Sequence, residues 1–270
     1  RNPMTKVCSA GRFDYYEIET KVGTDTIYYY FEIRSNEERL FYNKLSVTDN
    51  LQDCYAFRII PGFATPDWAK GAVMYQIYVD RFCNGDSTND VLTGEYSYIH
   101  KQVEQVKDWS APPEGMDVRR FYGGDLQGIL DKLDYLQDLG VEVIYMNPIF
   151  VSPSNHKYDC QDYDYIDPHY TVIKEDGGDL LPPGELDNTK ATKYIKRVVS
   201  KENLEASNEF FIHFVEEVHK RGIRVLLDGV FNHCGSFNKW LDRECVYEGD
   251  GDYEKGAYVS EDSPYRNFFK

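Results

Sequence analysis

Positive charge is in short supply in these 270 residues: 30 Lys and Arg stand against 46 Asp and Glu, for a formal net charge of −16. A surface of that sign repels a phosphate backbone and an anionic bilayer, so nucleic acid and membrane are excluded as partners and a neutral ligand fits better. Also missing is any apolar run near the roughly 20 residues that a membrane span requires. Residues 1–10 lack the apolar segment of a signal peptide. A soluble, cytoplasmic chain is the expectation, while an opening Arg rather than Met leaves room for a processed address label. Cys8, Cys54, Cys83, Cys160, Cys234 and Cys245 form no CxxC pair and are too sparse for a disulfide scaffold, which makes them free thiols. Internal repeats and low-complexity tracts are absent as well.

Against those gaps, hydrophobic residues make up 41% of the chain, enough for a substantial core, and aromatics 15%, with 23 tyrosines. Most tyrosines belong in that core; the rest offer a flat apolar face with a hydrogen-bonding end, on which sugar rings stack. Residues 12–60 read as short strands. Ile27, Tyr29, Phe31 and Ile33 alternate onto one face, as do Tyr55, Phe57 and Ile59. Too few strands are present to close a sandwich, so residues 1–66 are expected to form a partial antiparallel β-sandwich. Pro61-Gly62 and Thr65-Pro66 punctuate a linker over 61–70, and residues 67–270 make the second domain.

There the period changes. Apolar runs at 73–79, 141–146 and 223–230 have strand length, and two helical stripes separate them: Leu126, Ile129, Leu130, Leu133 and Leu136, then Phe210, Phe211, Phe214, Val215 and Val218. Asp125 is placed to cap the first helix, and Gly140 and Gly222 sit where helices end. A β-α-β-α-β order implies parallel strands with right-handed crossovers, in an open doubly wound sheet or a β/α barrel. Both helix-to-strand connections are a residue or two long, whereas the strand-to-helix connections run over 82–124 and 147–207. All elaboration therefore lies at the C-terminal ends of the strands, where β/α barrels place their sites. This favours the first part of a (β/α)8 TIM barrel with about three of its eight strands present. The tail from 248 to 262 reads as a solvated loop.

Three clusters on that rim carry chemistry. Residues 80–90 concentrate oxygen-bearing side chains after the first strand, as a hard cation requires, although Asn, Gly, Asp and Ser also make ordinary turns. Asp125 offers a further carboxylate on the same rim. Asp228, Asn232 and His233 end the third strand, while His213 and His219 occupy ordinary helix positions. Residues 156–163 mix His156, Tyr158 and Tyr163 with Asp159, Gln161 and Asp162, a set suited to polyhydroxyl recognition and equally to a solvated loop. Cys83, Cys160 and Cys234 each follow a different strand, but no pair has zinc-like spacing.

Together these segments resemble the α-amylase family of glycoside hydrolases, in particular its neopullulanase, cyclomaltodextrinase and maltogenic amylase branch. Residues 73–82 resemble the family's first barrel strand, 84–90 its calcium loop, 121–126 the segment completing that site, and 146–150 with 156–159 the second strand's end and substrate loop. Residues 228–233 match a family signature, and the β-rich front is similar to a starch-binding-type N-terminal module. The resemblance implies structural Ca2+ held by Asn84, Asp86, Asn89, Asp90, Gly123 and Asp125. It implies a substrate subsite in which Tyr158 stacks on the sugar, His156 shapes the pocket, His233 hydrogen-bonds the sugar and Asp228 orients neighbouring groups.

The implied activity is retaining hydrolysis of α-glucosidic bonds in starch-derived oligosaccharides, pullulan or cyclodextrins, with an α-glucan or maltooligosaccharide as partner and a homodimer in the parent. The nucleophilic Asp and the acid/base Glu are expected beyond Lys270, so the chain alone is expected to be inactive. The alternative is a non-catalytic carbohydrate-binding or scaffold protein of the same fold. Residues 171–204 are longer than in relatives and are expected to reshape the cleft.

Overall fold

Period-two alternation at residues 27–33 produces two short antiparallel strands instead of one long one. The structure, a computed structural model, describes residues 1–35, 38–115, 117–249 and 252–269. It divides into two units, Arg1–Lys70 and Gly71–Lys270. In the first, β1 (Thr5–Ala10) pairs with β2 (Phe13–Glu17); β3 (Ile27–Tyr29) pairs with a later strand; and β4 (Phe31–Ser35), β5 (Glu38–Tyr42) and β6 (Val47–Thr48) form a sheet. The strand β7 (Phe57–Ile59) completes the pair with β3. The expected run thus divides between β3 and β4, yet its aromatics stay together: Tyr29 and Phe31 lie 5.3 and 6.0 Å from the Phe57 ring. Ile33 falls outside this cluster and is exposed.

In the second unit β8 (Met74–Ile77) is followed by a long connection. It carries the small hairpin β9 (Ser97–Tyr98) and β10 (Lys101–Gln102) and the parallel bridge of β11 (Glu104–Gln105) with β12 (Arg120–Phe121). Then come α1 (Leu126–Asp131), α2 (Leu133–Asp138), β13 (Val143–Met146), the pair β14 (Phe150–Val151) and β15 (Asp162–Ile166), α3 (Thr192–Val199), α4 (Lys201–Lys220) and β16 (Arg224–Leu227). β8, β13 and β16 form a parallel sheet in the order β16-β13-β8. Gly140 and Gly222 both take positive φ, +80° and +73°, at the ends of α2 and α4, as helix C-caps require. No helix among the described residues is long and apolar enough to cross a membrane.

Three further expectations need correction. The first helical stripe is interrupted at Lys132, whose N–H bonds Ile129 in a tighter turn, although Leu126, Ile129, Leu133 and Leu136 still share one buried face. The second long connection is not structureless as far as 207: it contains α3, and α4 already starts at Lys201. The 248–262 tail is also only partly solvated, because Ala257 is buried and the Tyr253 ring packs, tilted, against Tyr247 at 4.8 Å; Asp250 and Gly251 lie outside the described residues.

Two apolar layers result. Ile77, Ile144 and Met146 of the sheet pack on Leu126, Ile129, Leu136, Phe214 and Val218 of the helices. A second core lies among the connections themselves, where Tyr96, Phe121, Tyr194, Val198, Phe237 and Tyr247 come together. Beside it runs a chain of buried charges. Lys157 Nζ donates to Asp167 Oδ2 (2.7 Å), His169 bridges Asp167 Oδ1 and Glu95 Oε1 (2.8 Å each), and Arg197 Nη1 donates to Glu95 Oε2 (2.9 Å). Burial would raise the Asp167 pKa, but Lys157 and His169 reverse it and hold the carboxyl well below the usual range. Burial would likewise lower that of His169, yet the carboxylates on its two nitrogens raise it above the ordinary 6.5.

Close backbone approach seats the first long connection on α1. The Cys83 carbonyl accepts from Asp125 N at 3.0 Å and occupies the space that a Cβ on Gly128 would take. Gly128→Ala therefore opposes two effects. Helix propensity favours alanine by about 1 kcal/mol, whereas overpacking costs about 1–3 kcal/mol. Because the obstacle is backbone, the expected outcome is a lower midpoint in urea unfolding; a higher one would show that the connection yields. For His169, a folded-state pKa above the unfolded one means that its stabilisation is complete below pH 6.5 and is lost as pH rises through the raised value. The stability difference between wild type and His169→Gln should accordingly shrink above pH 6.5, and a difference flat with pH would show that the ring is not held as imidazolium.

Candidate functional site

The C-terminal ends of the parallel strands converge on Asp228, which directly follows β16. Its Oδ2 accepts the Tyr158 hydroxyl at 2.7 Å and the Tyr145 hydroxyl at 2.9 Å. Burial, followed by the bond to Asp228, pushes the Tyr158 phenol up to about 12, and the same carboxylate raises Tyr145, so both stay protonated donors. Among the described residues Asp228 Oδ1 has no such donor. Beside Tyr158, at 5.9 Å between ring centroids, lies His156. Its Nδ1 accepts the backbone N–H of Tyr158 at 3.0 Å, which places the ring proton of the neutral form on Nε2. Burial lowers the His156 pKa and so favours that neutral form. The segment is held from behind by Ser154, whose hydroxyl bonds Asp159 and accepts from Lys157 N at 3.0 Å. An aromatic face, a carboxylate and an imidazole donor thus line one wall, the combination that binds a polyhydroxyl ring.

His233 is not brought to this wall. It is exposed, and its Nδ1 lies 3.1 Å from Asn232 Nδ2. Its backbone is nonetheless fixed, because the Tyr163 hydroxyl donates to the His233 carbonyl (2.7 Å) and to that of Val230 (2.9 Å). Sequence reasoning missed Tyr145 as a partner of Asp228. The available signal was its position between Ile144 and Met146, which the pleat sends to the opposite face of β13.

The oxygen-rich connection after β8 folds over the start of α1. Asp125 caps that helix through Gly128 N (2.6 Å) and also accepts from Gly85 N (3.0 Å), Asp86 N (2.8 Å) and Asn89 Nδ2 (3.1 Å). Asn84 Nδ2 donates to Asp90 Oδ1 at 2.7 Å, and Gly123, at φ +79°, approaches both so closely that a Cβ would collide with them. Asn84, Asp90 and Gly123 are thereby gathered beside Asn89, while Asp86 is engaged in its own turn with Thr88.

Burial, with Asp125 and Asp86 nearby, pushes the Asp90 carboxyl up to about 6, and burial raises Asp125. Among the described residues the buried Asn89 Oδ1 has no hydrogen-bond partner. An orphaned amide oxygen beside repelling carboxylates is donor chemistry that suits a hard cation. Among the described residues no three His, Cys, Asp or Glu side chains gather as a metal-holding group, the cysteines included.

Residues 76–180 and 206–270 match the alpha amylase catalytic domain, and residues 1–60 match the alpha amylase N-terminal ig-like domain. The chain is 35% identical to an amylopullulanase of Thermoanaerobacter thermohydrosulfuricus, over 99% of its own length and 18% of that protein's. It is 37% identical to a cyclomaltodextrinase of Geobacillus thermopakistaniensis (strain MAS1), over 86% and 33%. The type III pullulan hydrolase from Thermococcus kodakarensis is similar in structure, with a TM-score of 0.53 at 28% identity, covering 91% of this chain and 35% of that one. These 270 residues thus span about a fifth to a third of the two relatives' length. The catalytic-domain match is interrupted where α3 lies. With its parallel strands, their elaborated C-terminal rim and the ig-like module in front, the chain belongs to the α-amylase family of glycoside hydrolases, as an N-terminal module followed by part of the (β/α)8 catalytic domain.

Proposed function

We propose that these residues supply the sugar-binding wall and cation loop of a retaining glycosidase acting on α-glucosidic bonds of maltooligosaccharides, pullulan or cyclodextrins. The observation that carries this reading is the convergence of Tyr158, Tyr145 and Asp228 beside His156 in a chain of this family. Tyr158 presents its ring to the sugar nearest the scissile bond, and His156 Nε2–H donates to a sugar hydroxyl. Asp228, its Oδ2 held by two tyrosines, orients neighbouring active-site groups through Oδ1. The family resemblance assigns His233 to the same sugar, although its exposed ring stands beside Asn232 here and would have to turn toward the wall to reach it. Retaining chemistry needs a carboxylate nucleophile and a carboxylic acid/base about 5–5.5 Å apart; no residue of this chain is assigned to either part. Binding is therefore the measurement that tests the wall.

Calcium is the cation that the loop chemistry favours, held by Asn84, Asp86, Asn89, Asp90, the Gly123 carbonyl and Asp125. The ion would neutralise the clustered carboxylates and tie the connection to α1. A cytoplasmic location accords with cysteines that are all free thiols. Pairing of two copies through the N-terminal module accords with the exposed Phe13, Tyr15 and Tyr16 of β2.

Two measurements follow. Calorimetry with maltoheptaose should show binding by the wild type and at least tenfold weaker binding, about 1.4 kcal/mol, by Tyr158→Ala. Identical null titrations would remove the sugar-wall reading. Calcium should raise the melting temperature and a chelator lower it, with about 2.7 kcal/mol gained at a hundredfold excess over Kd. Asp86→Ala, which disturbs only a local turn, should abolish most of that response. Melting indifferent to both additions would count against a bound ion.

A further inference from the structure

Between His156 and Tyr158, which face the wall, Lys157 turns the opposite way. Its backbone is left-handed at φ +55°, a region that L side chains rarely adopt, and its side chain is 1% exposed. The ammonium is consumed by Asp167 Oδ2, by the Ser152 carbonyl at 3.1 Å and by the face of the Tyr170 ring at 4.5 Å. The same anchor that buries Lys157 thus presents its two neighbours. From Asp167 the buried charges continue through His169 and Glu95 to Arg197 on α3, in the segment where the catalytic-domain match is interrupted. Arg197 is itself 2% exposed. It grips Asp176 through Nε and Nη2 (2.9 and 3.0 Å), and its Nη1 also donates to the Asp90 carbonyl at 2.9 Å. One guanidinium therefore ends the chain behind the sugar wall and touches the backbone of the cation loop.

We propose that Arg197 is a positioning residue: α3 braces the His156-Lys157-Tyr158 turn from behind and holds it in register with the Asp90 loop. The bearing on sugar binding rests on the functional reading above; the mechanical coupling does not. Without the guanidinium, Glu95 keeps His169 as its one cationic partner among the described residues, in a buried setting where an unpaired charge is costly. Relief comes from shifting His169, then Asp167, then Lys157, which releases the left-handed turn.

The test is amide hydrogen exchange on the whole chain, followed through residues 154–160 and, as a reference, through α1 and α2. In Arg197→Met, exchange over 154–160 should quicken about tenfold while α1 and α2 stay as in the wild type, and maltoheptaose affinity should fall about fivefold. Arg197→Lys keeps the charge but cannot hold Glu95, Asp176 and the Asp90 carbonyl together, so it should fall between the two; it also serves if Arg197→Met does not fold. Unchanged exchange over 154–160 in a folded variant, or equal acceleration of the reference helices, would overturn the coupling. Failure of the wild type to bind maltoheptaose would instead remove the sugar-wall reading, with exchange still deciding whether Arg197 holds the turn.

Discussion

Asp125 is the point on which the second unit is hung. One carboxylate caps α1 and at the same time receives Gly85 N, Asp86 N and the Asn89 amide. A helix start offers orphan N–H groups and a positive dipole end, so a carboxylate is at home there. Here it also gathers donors from a connection about forty residues upstream. Because that connection is seated, Asp90 reaches Gly123 and its carbonyl reaches Arg197. Release of Asp125 would free the helix start and the rim connection together.

The two apolar layers are stabilised differently. Under the sheet, Ile77, Ile144, Met146, Phe214 and their neighbours are buried aliphatic and aromatic groups, favourable by about 25 cal/mol per Å² removed from water. The rim has its own apolar core, but ion pairs run beside it, and buried pairs often do no more than offset their own desolvation. What such a chain contributes is position. Each charge accepts few geometries, so the turn carrying His156 and Tyr158 is held by direction as well as by area. That would suit the proposed sugar wall, which needs a ring face and an imidazole N–H at fixed places.

Much of the scaffold was legible because its causes are local. Strand and helix periods, the Asp125 cap and the glycine caps at 140 and 222 depend on neighbours within a few residues, and they fall where expected. The interruption at Lys132 escaped because the buried stripe runs unbroken through a single tighter turn. α3 escaped because residues 171–191, rich in Asp, Gly and Pro, read as loop and masked the short helix after them. Tyr158 and Asp228 were both expected near the sugar. Their direct bond, and the second tyrosine that shares it, were not.

By itself, then, the sequence determined the order of the main strands and helices, the parallel sheet and the rim on which its elaboration lies. Those follow from periodicity, capping and side-chain type, which act over a few residues. Tertiary structure alone decided which charges meet. Glu95, Lys157, Asp167, His169 and Arg197 look like solvated polar residues along the chain, and Arg197 is 102 positions from Glu95. They become one buried line because the rim connections pack on each other, and a charge taken out of water must find the partner that folding brings to it.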